Sequence, residues 1–129
     1  MNIVADTNIF LSVVLNEPEK SRIIEQSRDC TLLSPEILLY EIGNALSAIV
    51  KRRRLTKSEA LKALELVQTI PVRLVQTDVS KSLDLAIRFG IYAYDAYFLQ
   101  CALSLSCPLL TLDKKMQEVA KQLSIVVME

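Results

Sequence analysis

A chain of 129 residues with 15 basic and 15 acidic side chains has no net charge, so no global field draws it to a polyanion. Its composition is 51% hydrophobic and 5% aromatic, which suits an aliphatic core in one domain, expected over residues 1–129. Histidine is absent, and this excludes Ser-His-Asp and Cys-His nucleophile pairs, histidine bases and histidine-rich zinc sites.

Along the chain, short apolar runs alternate with helical stretches. Asn2–Ala5 reads as a strand, followed by helices over Ile9–Leu15 and around Glu19–Arg28. Thr31–Leu33 reads as a second strand. Ser34-Pro35 then supplies an N-cap and a first-turn proline for a helix reaching Lys51. Thr56-Lys57-Ser58-Glu59 is a capping box for a helix to about Gln68. Val72–Val75, behind Pro71, is a third strand.

A helix over Val79–Phe89 should stop at Gly90, where a left-handed residue is needed. Tyr94–Leu105 reads as helix, Leu109–Thr111 as strand, Lys115–Leu123 as helix and Ile125–Val127 as a last short strand. Strands joined by helices predict an α/β fold: a parallel sheet with short central strands between two helical layers. Cys30, Cys101 and Cys107 are odd in number, without CxxC spacing, and read as reduced thiols. No apolar run approaches the roughly 20 residues of a membrane span, and a cytosolic location is expected.

Four carboxylates sit on segments that should be core. Asp6 ends the apolar opening MNIVAD, Glu41 interrupts EILLYEIGNALSAIV, Asp95 lies in YDAYFLQCAL and Asp113 closes PLLTLD. At roughly 100° per residue, Phe98, Leu99 and Ala102 fall within about 60° of Asp95, on the apolar face of its helix. Glu41 borders the Leu38, Ile42, Ala45, Ile49 stripe, about 60° from Leu38. Asp6 and Asp113 could each simply cap a following helix. Convergence of all four at one site, outside the carboxyl ends of parallel strands, accounts for them with a single cause. Without histidines or suitable thiolates, the implied ion is Mg²⁺ or Mn²⁺. Thr7, Asn8 and Thr111 stand beside these acids, either to hold a metal water or phosphate or merely to cap and pack.

The run VADTNIFLSVVL, then YEIGNAL, YDAYFLQCAL and LLTLDKKM, resembles a PIN-domain ribonuclease, most closely the VapC-type toxins of prokaryotic toxin–antitoxin pairs. The resemblance covers nearly the whole chain. It implies a PIN-like α/β/α sandwich and places the family's acidic quartet on Asp6, Glu41, Asp95 and Asp113, with Asp6, Asp95 and Asp113 on the metal. Thr7 matches the hydroxyl residue after the first acid, and Asn44 the asparagine three beyond the glutamate. Many PIN domains carry a further acid after the fourth; this chain continues Lys114-Lys115-Met116, which bears on how a second ion is held.

The implied activity is hydrolysis of RNA phosphodiesters by a metal-activated water, with one or two ions, a homodimeric protein and a cognate antitoxin. Lys51, Arg52, Arg53 and Arg54 are either an RNA-phosphate contact or a solvated helix end that suits the helix dipole. Tyr92, Tyr94 and Tyr97 could stack on bases, with a core role open to Tyr97. Two competing readings are a catalytically silent PIN-like scaffold and a Mg²⁺-binding receiver-like regulatory module. The latter would carry two adjacent early acids and a late lysine at a strand end.

Overall fold

Ile3, Val4 and Ala5 are consecutive and all buried, as in a strand covered on both faces. In the computed structural model, which describes all 129 residues, they belong to β1 (Asn2–Ala5), an inner strand of a four-stranded parallel sheet. The other strands are β2 (Thr31–Pro35), β3 (Arg73–Val75) and β4 (Leu109–Leu110), in the order β3-β2-β1-β4. Seven helices connect them: α1 (Thr7–Val14), α2 (Lys20–Gln26), α3 (Leu38–Lys51), α4 (Lys57–Thr69), α5 (Val79–Phe89), α6 (Ala93–Leu105) and α7 (Lys114–Gln122).

The winding direction decides where a site can form. The chain steps outward from β1 to β2 to β3, then crosses back to lay β4 on the other side of β1. Right-handed crossovers therefore put α1–α4 on one face and α5–α6 on the other. In agreement, α1 packs on α2, α3 and α4, whereas α6 packs on α5, α7, β1, β2 and β4. The direction reverses between β1 and β4, and in open parallel sheets that switch point opens a crevice at the carboxyl ends of the strands. A flavodoxin-like receiver instead sets its first strand between the second and third; here β1 lies between β2 and β4.

Local signals explain several boundaries. Thr56 and Glu59 form the reciprocal capping box of α4, at 3.1 Å and 2.9 Å. Gly90 ends α5 with φ 65°. Two expectations are corrected. Ser34-Pro35 does not open α3 but extends β2: the Ser34 hydroxyl donates to Ala5 O across the sheet at 2.6 Å. The bond to Val75 O comes from Glu36 N, so the N–H that Pro35 lacks is not needed there. Ile125–Val127 forms no full strand, only a parallel bridge between Val127 and Leu109. No helix is long and apolar enough to cross a membrane.

Candidate metal-dependent active site

Asp6 is the first residue beyond β1, and its N–H donates to Leu110 O at 3.0 Å, which seats it beside the end of β4. It is 5% exposed and caps α1, with Oδ1 accepting from Thr7 N at 2.7 Å. Its other oxygen accepts from the Thr111 hydroxyl at 2.7 Å and from Asn8 Nδ2 at 3.2 Å. The oxygen of Asn8 in turn accepts from Leu112 N at 3.2 Å, and Thr111 Oγ1 accepts from Asp113 N at 3.0 Å. Asn8 and Thr111 thus bind the ends of β1 and β4 together and set the orientation of the Asp6 carboxylate.

Asp113 caps α7, with one oxygen accepting from Lys115 N at 2.9 Å and Met116 N at 3.2 Å. Both strand-end acids are therefore helix caps as well as members of the acidic group. Glu41 reaches in from the first turn of α3 and accepts the Thr7 hydroxyl at 2.7 Å. Asp95 reaches in from the first turn of α6, half-buried, on the side of the fully buried Phe98, Leu99 and Ala102. No hydrogen bond restrains its carboxylate.

Charge couples the four. Burial pushes the Asp6 carboxyl up to about 7; hydrogen bonds from Thr111 and Thr7 oppose this, while Asp95 and Glu41 add to it. Glu41 is raised by burial and by Asp95, against the Thr7 hydrogen bond. Asp95 is raised by burial and by Asp113. A chain of mutual repulsion runs through all four residues, and a cation is the group that would relieve it. The donor set, carboxylates with no imidazole, suits a hard oxygen-liganded ion. As the side chains stand, no three acids or thiols are gathered closely enough to ligate one ion directly. Cys101 and Cys107 are buried, and burial together with Cys107 pushes the Cys101 thiol up to about 12, away from thiolate character.

Beside Glu41 lies an open cleft of about 630 Å³ lined also by Thr7, Asn44 and the exposed Tyr94. Asn44 is exposed there with its side chain free of hydrogen bonds within the chain. Tyr40, next to Glu41 and 79% exposed, joins this wall; the aromatic beside an acid was its only mark in the sequence. Tyr97 is half-buried, edge-on to Tyr94 with ring centroids 6.2 Å apart, and Tyr92 is exposed. Lys51, Arg52, Arg53 and Arg54 lie exposed at the far end of α3, ten residues or more from Glu41, hence about 15 Å along the helix. None of them enters a salt bridge.

Comparison with known proteins matches residues 3–122 to the family model described as PIN domain. Ribonuclease VapC9 of Mycobacterium tuberculosis is 26% identical over 119 residues, covering 92% of this chain and 91% of the relative. The crystal structure of PAE2754 from Pyrobaculum aerophilum superposes with a TM-score of 0.74 at 19% identity, over 99% of this chain and 84% of the other. That of VapBC2 from Rickettsia felis, bound to a DNA fragment from their promoter, gives 0.70 at 14% identity, over 98% and 97%.

Proposed function

The chain belongs to the PIN-domain family, and from that premise we propose that it is a Mg²⁺- or Mn²⁺-dependent endoribonuclease, the toxin of a prokaryotic type II toxin–antitoxin pair. Residues 1–129 act in this reading as a single nuclease domain. The observation that carries it is the electrostatically coupled group Asp6, Glu41, Asp95 and Asp113 at the sheet's switch point. One or two bound ions would supply Lewis acidity to the scissile phosphate, a more acidic water and compensation for charge on the leaving 3′ oxygen.

The chain's own groups divide the remaining work. Asp6, Asp95 and Asp113 hold the ions, directly or through water. Asn8 and Thr111 keep Asp6 in one orientation, since both donate to its Oδ2. Glu41, held by Thr7, orients the attacking water and takes its proton toward bulk solvent. Asn44 and Thr7 stand where a phosphate oxygen would lie along the cleft. Attack on phosphorus by water leaves 5′-phosphate and 3′-hydroxyl ends and does not use the RNA 2′-hydroxyl.

The resemblance to VapC-type toxins implies a homodimer and a small antitoxin partner. Val79, Leu83 and Ile87, exposed at helical spacing along α5, offer apolar area for such contacts. The basic run Lys51–Arg54 is read as a solvated helix end, because it sits about 15 Å along α3 from Glu41.

The test is incubation of total RNA with purified protein in Mn²⁺ or Mg²⁺, beside EDTA and Asp6→Asn controls. Metal-dependent fragments with 5′-phosphate ends, missing in both controls, are the expected result. RNA binding without cleavage in either ion would identify a silent scaffold instead.

A further inference from the structure

A second cleft, of about 340 Å³, adjoins the acidic one and shares Ile37 and Tyr40 with it as a common wall. Its far side is formed by the β3–α5 connection at Gln76 and Thr77, with Pro35 and Tyr97 closing it. The volume is within the ~300–1,000 Å³ of ordinary small-molecule sites. No lysine or arginine lines either cleft, and Glu36 stands in the wall of the second. A phosphate is therefore disfavoured there. A planar group with hydrogen-bonding edges fits better.

Three further features point the same way. Tyr40 is 79% exposed at the partition between the clefts, next to Glu41, so its ring face is open to stack on a base. Glu36 and Gln76 bring an acceptor and a donor–acceptor amide to the wall, the groups that read base edges. The Thr77 hydroxyl is the one buried side-chain polar atom of the chain without a hydrogen-bond partner. Buried polar groups are normally paired, and this hydroxyl retains an unused donor and acceptor at the cleft wall. Thr77 precedes Asp78, which caps α5 through Lys81 N at 2.9 Å, so its backbone is anchored and only its side-chain rotamer need change.

We propose that this second cleft is a nucleobase subsite, in which an unpaired base next to the scissile phosphate stacks on Tyr40 and is read by Thr77 and Gln76. The inference rests on the ribonuclease reading and deepens it: part of the enzyme's sequence preference resides in this cleft. Duplex RNA would keep that base inside its stack and out of the cleft.

The experiment measures binding of a labelled single-stranded oligoribonucleotide to the cleavage-silent Asp6→Asn protein by fluorescence anisotropy. An abasic nucleotide is moved along the strand, with and without the further changes Tyr40→Ala and Thr77→Val. One abasic position should weaken binding about tenfold, and Tyr40→Ala should cost the same. The two losses should not add, because both remove one stacked pair. Thr77→Val should change the preferred base at that position with a smaller loss of affinity. Circular dichroism of the Tyr40→Ala protein should be unaltered, as the ring is exposed. Additive losses, or wild-type affinity after Tyr40→Ala, would overturn the subsite and leave the nuclease reading standing. Intact RNA affinity with loss of a protein partner would hand the cleft to that partner and overturn the proposal. No binding of any single strand would remove both readings together.

Discussion

Asp6 and Asp95 repel one another within the acidic group, yet three donors hold the first and none holds the second. The difference follows their supports. The floor, at the ends of β1 and β4, is built of buried backbone and the small polar residues Thr7, Asn8 and Thr111, each of which donates to an acid. The rim, carried by α3 and α6, presents Asn44, Tyr40 and Tyr94 to open space and leaves the half-buried Asp95 without a hydrogen bond. A floor with its hydrogen bonds already made can orient a ligand without reorganising. A rim with unmade ones retains charge and apolar surface that only a cation or a substrate satisfies.

Removing the rim charge is the sharpest way to separate the two. Asp95→Asn should lower metal-dependent cleavage on the order of 10²–10³-fold. In EDTA the same change should raise the melting temperature, since no hydrogen bond is lost and repulsion with Asp6, Glu41 and Asp113 is relieved. The pH dependence carries the same sign. Asp6, Glu41 and Asp95 all have folded pKa values above their unfolded ones, so the folded chain binds more protons in that window. Their contribution to stability is complete below about pH 4 and is lost as pH rises toward about 7. Thermal melts in EDTA should fall across that range, more shallowly in Asp95→Asn. A lower melting temperature in the variant would make Asp95 a structural ion-pair partner.

Thr111→Val attacks the floor instead, with a smaller effect on activity and the opposite effect on stability. It removes the 2.7 Å donor to Asp6 and the acceptor of Asp113 N while keeping the side-chain shape. We expect about 1–3 kcal/mol of destabilisation in denaturant titrations, as two buried groups lose a partner. Cleavage should drop about 10–100-fold, the usual cost of disturbing a group that orients a metal ligand. Unchanged stability would show that the floor is not held as the hydrogen bonds indicate.

The smallest effect should come from a region belonging to neither. Replacing Lys51, Arg52, Arg53 and Arg54 by glutamine should alter RNA affinity less than about threefold and leave its salt dependence unchanged. A salt slope reduced by about one or more would place these residues on RNA phosphates.

Much of the scaffold was legible residue by residue, because the signals are local. A capping box, a left-handed glycine and an unbroken buried run each depend on neighbours a few positions away. Ser34-Pro35 misled for the same reason. The pair has the local chemistry of a helix start, but Ala5 O and Val75 O, both distant in sequence, drew it into the sheet. Asn8 and Thr111 stood out as polar neighbours of acids, yet their mutual role with Asp6 appears only when β1 and β4 pair. Gln76 and Thr77 gave no pattern, since a cleft between separate connections leaves no period in the chain.

By itself, then, the sequence determined the alternation of strands and helices, the aliphatic core and the four acids placed where solvent should not reach them. Those follow from spacing and from the cost of burying charge, which act within each segment. Only the tertiary structure decided that β4 returns beside β1, and with it that Asp113 and Thr111 stand next to Asp6. It also made Tyr40 a wall between two clefts. Strand order and cleft shape are set by packing between distant segments, and no window of the sequence contains both partners.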